Sequence, residues 1–181
     1  MIKNIKKLYK QYDHFVFDLD NTIWTCKDKN DYSIYAKQLL VPFKLYEYPP
    51  LTGQWDYVED DVFNDCTLHS RIREYLDFLE SMDKKISYVS IGKRYEHDSS
   101  FTSLSQPSKR LLSLFDLNAY FDNGDNVLVY KDEDICDYLK SMGRCVYFND
   151  NQEENKKIKK LKNVKLIDRY SFNNWDDLII I

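Results

Sequence analysis

Short apolar runs alternate along this chain with stretches whose apolar residues recur every three or four positions. Phe15-Val16-Phe17 lacks polar alternation, the signature of a strand buried on both faces, most often in a parallel sheet. Ile86 to Ile91, Val127 to Tyr130, Cys145 to Phe148 and Val164 to Ile167 are predicted as further strands. Between them, Leu68, Ile72, Leu76, Leu79 and Met82 line one face of a predicted helix, with Thr67 as its N-cap. Pro107 suits the first turn of the next helix, with Leu111, Leu112, Leu114 and Phe115 as its apolar stripe. Ile135, Tyr138, Leu139 and Met142 mark another helix, which Gly143 ends. A lysine-rich helix then precedes the last strand, and Ile2, Ile5, Leu8, Tyr9 and Tyr12 space as a short helix at the start. Strands alternating with helices at these intervals predict a doubly wound α/β fold with a parallel sheet.

One region departs from this rhythm. From about 25 to 65 the chain is polar and rich in aromatics. Leu39 to Tyr46 is strand-like, demoted to an edge by Pro42; Pro49, Pro50 and Gly53 mark a turn, and Trp55 to Val58 returns. A small β-flap inserted into one domain spanning 1–181 is the expected organisation. Its aromatics, Tyr32, Tyr35, Phe43, Tyr46, Tyr48, Trp55 and Tyr57, are expected to pack the flap on the core or to line an entrance. The apolar tail from Trp175 to Ile181 has no assigned seat.

Composition sharpens the picture by exclusion. The 181 residues are 43% hydrophobic and 31% charged, which describes a folded, water-soluble chain and not a disordered one. A net charge of -4 gives no general attraction to nucleic acid. The lysine clusters (Lys3, Lys6, Lys7, Lys10; Lys156, Lys157, Lys159, Lys160, Lys162) fall on predicted helices and are expected to be solvated faces. No run is long enough to span a membrane, and no secretory h-region is present. Cys26, Cys66, Cys136 and Cys145 have neither zinc nor redox spacing. Cys66 and His69 are taken as incidental, Cys145 as a core residue, and the setting as reducing and cytoplasmic.

The first strand ends in chemistry. Asp18 and Asp20 follow Phe17 two residues apart, with Thr22 two further on, where open α/β sheets place their ligands. Carboxylates against an apolar strand are costly unless compensated, and a divalent cation is the simplest compensation. Aspartate can also attack phosphorus and carry it as an aspartyl-phosphate. Phosphoryl transfer needs a nucleophile, a proton donor for the leaving oxygen, a cation, and donors to the phosphoryl oxygens. Successive strand ends offer each: Asp18 as nucleophile, Asp20 as general acid/base, Ser90 as donor and Lys131 as counter-charge. Asp150 joins Asp18 and Asp20 as a hard-oxygen ligand set suited to Mg²⁺. His69 and His97 are expected no closer than the edge of such a site.

That order of residues resembles the haloacid dehalogenase (HAD) superfamily of phosphohydrolases. The first motif, Phe17-Asp18-Leu19-Asp20-Asn21-Thr22-Ile23-Trp24, is similar to that of its magnesium-dependent phosphatase branch, and Leu114-Phe115-Asp116-Leu117 with Tyr120-Phe121 resembles the stretch before the family's lysine. The resemblance runs from about residue 13 to 168 and is weakest across the flap. It implies a HAD-like Rossmannoid sheet with a minimal cap. It also implies that Asp18 is phosphorylated, that Asp20 is the acid/base, and that Mg²⁺ is held by Asp18, the Asp20 backbone carbonyl and Asp150. Ser90 and Lys131 would contact the phosphoryl group, and Asn155 would match the family's asparagine. Two positions depart from the pattern: Ile91 stands where an arginine often follows the serine, and Asn149 and Asn151 flank Asp150 where two adjacent acids are usual.

The expected function is therefore a Mg²⁺-dependent phosphomonoesterase acting on a phosphorylated small molecule or phosphoprotein, away from membranes. A catalytically weak binding or regulatory protein on the same scaffold is the first alternative. A nucleic-acid end phosphatase is the second, which the acidic charge disfavours.

Overall fold

In the computed structural model, residues 5–26, 66–91, 107–129 and 134–179 are described. The proposed strands of the 25–65 insertion lie outside these residues, as do Lys131, Tyr130 and His97. Helix α1 (Ile5–Gln11) leads into β1 (His14–Phe17), followed by the short strands β2 (Trp24–Cys26) and β3 (Cys66–Leu68). Then come α2 (Ile72–Ser81), β4 (Lys85–Ile91), α3 (Pro107–Leu114), α4 (Asn118–Phe121) and β5 (Val127–Val129). The chain continues through α5 (Ile135–Ser141), β6 (Cys145–Asn149), α6 (Gln152–Ile158) and β7 (Val164–Asp168), and closes with 3₁₀ turns Arg169–Ser171 and Trp175–Leu178.

Five strands form one parallel sheet in the order β5-β4-β1-β6-β7, so the sequence reading of a doubly wound α/β chain holds at this level. The first strand sits at the centre because the chain winds outward from it to β5, then crosses back to build β6 and β7. Its side chains explain why it tolerates that position: Phe15 and Phe17 face one core and Val16 the other, all fully buried. The first core gathers α1, α2, α3, α4 and the Trp175 turn; the second gathers α5 and α6. In the first, Phe17 stacks on Phe148 at 4.9 Å between ring centres, and Trp175 packs against Tyr75 at 5.1 Å. The tail thus docks on its own core, with Trp175 and Leu178 buried.

Local expectations fail where a distant pairing overrides them. Thr67 is not a helix cap: it lies in β3, opposite Thr25 of β2, and Leu68 pairs Trp24. Helix α2 begins instead after Arg71, which takes a left-handed conformation (φ 67°) and makes no side-chain cap. Leu114 and Met82 are exposed, so neither belongs to its proposed apolar stripe. Gly143 does end α5 as expected, with φ 73°. No helix among the described residues is long and apolar enough to cross a membrane.

Candidate active site

A doubly wound sheet opens a crevice beyond the carboxyl ends of its strands where the winding reverses. Here the reversal lies between β1 and β6, and the residues that leave those strands are Asp18 and Asp150. The Asp18 backbone N–H donates to the Phe148 carbonyl at 2.8 Å, carrying the β1–β6 ladder one step past the strand end. Its carboxylate is therefore fixed at the crevice floor.

Two hydroxyls hold that buried carboxylate. Ser90 Oγ, near the end of neighbouring β4, donates to Asp18 Oδ1 at 2.8 Å, and Thr22 Oγ1 donates to Oδ2 at 3.4 Å. Burial first, and the negative charge of Asp20 next, push the Asp18 carboxyl well above the ordinary carboxylate range; the Ser90 hydrogen bond opposes this and the Asp150 charge adds to it. Four of the residues singled out in the sequence, Asp18, Asp20, Ser90 and Asp150, are thus brought together. Lys131, the fifth, lies outside the described residues.

Asp20 sits in a tight turn that Asn21 permits by adopting φ 58°, after which Ile23 N–H closes back on the Leu19 carbonyl at 2.8 Å. The turn returns the chain so that Trp24, fully buried, donates its indole Nε1–H to Asp20 Oδ1 at 2.8 Å. This contact was not read from the sequence, although Trp24 belongs to the motif; its spacing of four from Asp20 was the available signal. His69 does lie at the edge of the turn, where its Nε2–H donates to the Asn21 carbonyl at 3.0 Å.

The Asp150 loop is braced from below. Asn149, fully buried, donates through Nδ2 to Glu154 Oε2 at 3.2 Å and to Asn155 Oδ1 at 3.1 Å. Asn151 caps α6, accepting from the Glu153 and Glu154 N–H groups at 3.1 and 3.3 Å. The two asparagines that flank Asp150 therefore build the loop. Glu154 takes part as well: burial, aided by the Asp150 charge, raises its pKa despite the Asn149 hydrogen bond.

No group of three His, Cys, Asp or Glu side chains arranged to hold a metal is present among the described residues. The donor set on offer is smaller: two carboxylates, Asp18 and Asp150, with the Asp20 main chain beside them. It consists of hard oxygens, as Mg²⁺ prefers, and Mg²⁺ commonly completes its shell with water and substrate oxygen. Burial first, and the neighbouring acids after it, raise the Asp18 pKa. In donor chemistry alone, this oxygen set suits a divalent cation.

The cysteines require a correction. Cys66 is not incidental: it faces Cys26 across the β2–β3 ladder and is joined to it by a disulfide spanning 40 positions. Cys136 and Cys145 are buried free thiols, the latter a core residue as expected. Compared with models of protein families and with curated proteins, the sequence matches none.

Proposed function

We propose that this chain is a Mg²⁺-dependent phosphomonoesterase of HAD type, working through an aspartyl-phosphate on Asp18. The observation that carries the proposal is the convergence of Asp18, Asp20, Ser90 and Asp150 at the carboxyl ends of three adjacent strands, β4, β1 and β6. Asp18 Oδ would attack the phosphorus atom, and the ester bond would break as the leaving oxygen takes a proton from Asp20. In the second half, Asp20 would accept a proton from water as that water attacks the phosphorus, releasing inorganic phosphate and restoring Asp18. Ser90, which now donates to Asp18, is within reach to donate to a phosphoryl oxygen instead. Asp18, Asp150 and the Asp20 carbonyl would hold Mg²⁺, which when bound supplies positive charge to offset the carboxylates and the phosphate. Lys131, which lies outside the described residues, would add to that charge.

Substrates would be phosphorylated small molecules or phosphoproteins, and the proposed setting is cytoplasmic. A disulfide is exceptional in that compartment, where such bonds are usually transient or redox-sensing.

The test is turnover of a chromogenic aryl phosphate with and without Mg²⁺, beside Asp18→Asn. Mg²⁺-dependent release lost in the variant is the expected result. No release, with Mg²⁺ binding shown by calorimetry, would instead favour a binding protein, a reading that rests on the single acid, Asp150, contributed by β6.

A further inference from the structure

Asp20 is held by an element that is itself held by a redox bond. Strands β2 and β3 form a ladder of three residue pairs: Trp24 opposite Leu68, Thr25 opposite Thr67, and Cys26 opposite Cys66. So short a two-stranded ribbon is marginal by itself. One end is anchored in the motif-bearing turn, where His69 N–H donates to the Ile23 carbonyl at 2.9 Å and His69 Nε2–H to the Asn21 carbonyl at 3.0 Å. The other end is closed by the Cys26–Cys66 bond. Trp24 stands between the two. It bridges to Asp20 through the backbone, packs at 6.0 Å from the Phe115 ring, and donates its indole proton to the Asp20 carboxylate.

We propose that the β2–β3 ribbon is a redox-sensitive clamp on the acid of the site, in which Trp24 positions Asp20 and the Cys26–Cys66 disulfide fixes Trp24. The proposal rests on the phosphatase reading above and adds its regulation. Redox chemistry is confined to this pair, because Cys136 and Cys145 are buried thiols and burial pushes the Cys145 thiol up to about 12. Cys26, half-buried where β2 ends, is the more exposed residue of the pair, since Cys66 is buried. Reduction needs a dithiol reductant. One of its thiolates attacks Cys26 Sγ, Cys66 leaves as a thiolate, and a mixed disulfide with Cys26 forms; the second thiolate then attacks the reductant's own sulfur in that mixed disulfide and releases Cys26. Two electrons pass to the protein, two cysteine thiols appear after protonation, and the reductant leaves as its own disulfide. The ribbon then loses its covalent end, and Trp24 no longer holds one Asp20 geometry.

A displaced general acid matters most where the leaving group most needs a proton. The experiment compares one preparation before and after treatment with a dithiol. Thiol titration in denaturant should find two free thiols before and four after, since the chain has four cysteines. Turnover with Mg²⁺ is then followed across aryl and alkyl phosphates of increasing leaving-group pKa. Reduction should slow the poorest leaving groups by about tenfold and leave the best within about twofold. Trp24→Phe should show the slow pattern in both redox states. In parallel, the Trp24 indole ¹H–¹⁵N resonance, assigned by its loss in Trp24→Phe, should shift on reduction.

Four free thiols in air-purified protein, or an unmoved Trp24 resonance with equal leaving-group dependence in both states, would overturn the clamp. An equal loss for every substrate would also overturn it, since that marks general loosening. A Trp24 resonance that moves with redox state, in a protein without phosphatase turnover in either state, would keep the clamp and remove the hydrolase reading.

Discussion

The two ends of the parallel sheet are built on opposite electrostatic rules. At the amino-terminal end, polar groups are matched. Ser87 Oγ accepts from the Asp125 N–H at 2.8 Å and meets His14 Nε2 at 2.7 Å, tying β1 and β4 to the turn before β5. Asn126 accepts from the Tyr88 N–H at 3.1 Å and donates to the Phe121 carbonyl at 2.6 Å. Gly124 lets that turn press against β4, since a Cβ there would lie 2.2 Å from the Ile86 carbonyl oxygen. At the carboxyl-terminal end, three aspartates crowd one crevice and burial opposes the charge of Asp18. One end is arranged for stability. The other holds a buried carboxylate whose charge the Ser90 and Thr22 hydroxyls only partly offset.

Substitutions at each end should separate these roles. Asp18→Asn should reduce phosphatase turnover by more than about a thousandfold. Thermal denaturation of the metal-free variant should show no loss of stability, because the change removes a buried charge; a large fall in Tm would mean that the Asp18 carboxylate is structural. Next in size is the staple beside the charged end. Replacing both Cys26 and Cys66 by serine should cost up to about 4 kcal/mol, the loop-closure entropy of a 40-residue ring, as read by urea unfolding. At the matched end, Gly124→Ala should cost about 1–3 kcal/mol, since carbonyl and methyl cannot share the space, with turnover per folded molecule unchanged. Activity lost in proportion beyond the unfolded fraction would show that the two ends are coupled.

The smallest effect concerns pH. Burial, reinforced by the Lys85 charge, lowers the His14 pKa from its ordinary value near 6.5. The unfolded chain therefore binds the proton more readily than the folded one. His14 contributes stability that is fully present above pH 6.5 and is lost as pH falls toward the lowered folded value. Urea unfolding at a series of pH values should show this decline below pH 6.5, and His14→Gln should flatten it. A slope unchanged by the substitution would assign the decline to other groups.

What the sequence revealed follows the range of the forces involved. Phe15-Val16-Phe17 announced a strand buried on both faces because such burial leaves no polar position, and Asp18 was legible as the residue where that rule breaks. Asp20, Ser90 and Asp150 could be placed by the same logic, each near the end of an apolar run. The Cys26–Cys66 bond could not, because its partners are joined by a ladder formed across the insertion, and no local spacing encodes it. The same pairing turned Thr67 from an expected helix cap into a strand residue. Trp24 carried an apolar signal from its ring and concealed a polar role in its indole nitrogen. Asn149 and Asn151 stood out in the sequence only as a departure from two adjacent acids, yet they form the frame that carries Asp150.

The central place of β1 also sets a schedule for the chain as it is made. One neighbour of this strand, β6, is encoded some 130 residues after it. At roughly 5–20 residues per second, one edge of this apolar strand awaits its partner for on the order of ten seconds. Tyr9 then waits longer still, since its hydroxyl donates to the Leu178 carbonyl at 2.7 Å. Until then Phe15, Val16 and Phe17 are exposed to any other unpaired strand nearby, and a holding chaperone has its clearest target there. The crevice between Asp18 and Asp150 comes into being only with that late step, so an unfinished chain has no site to misuse.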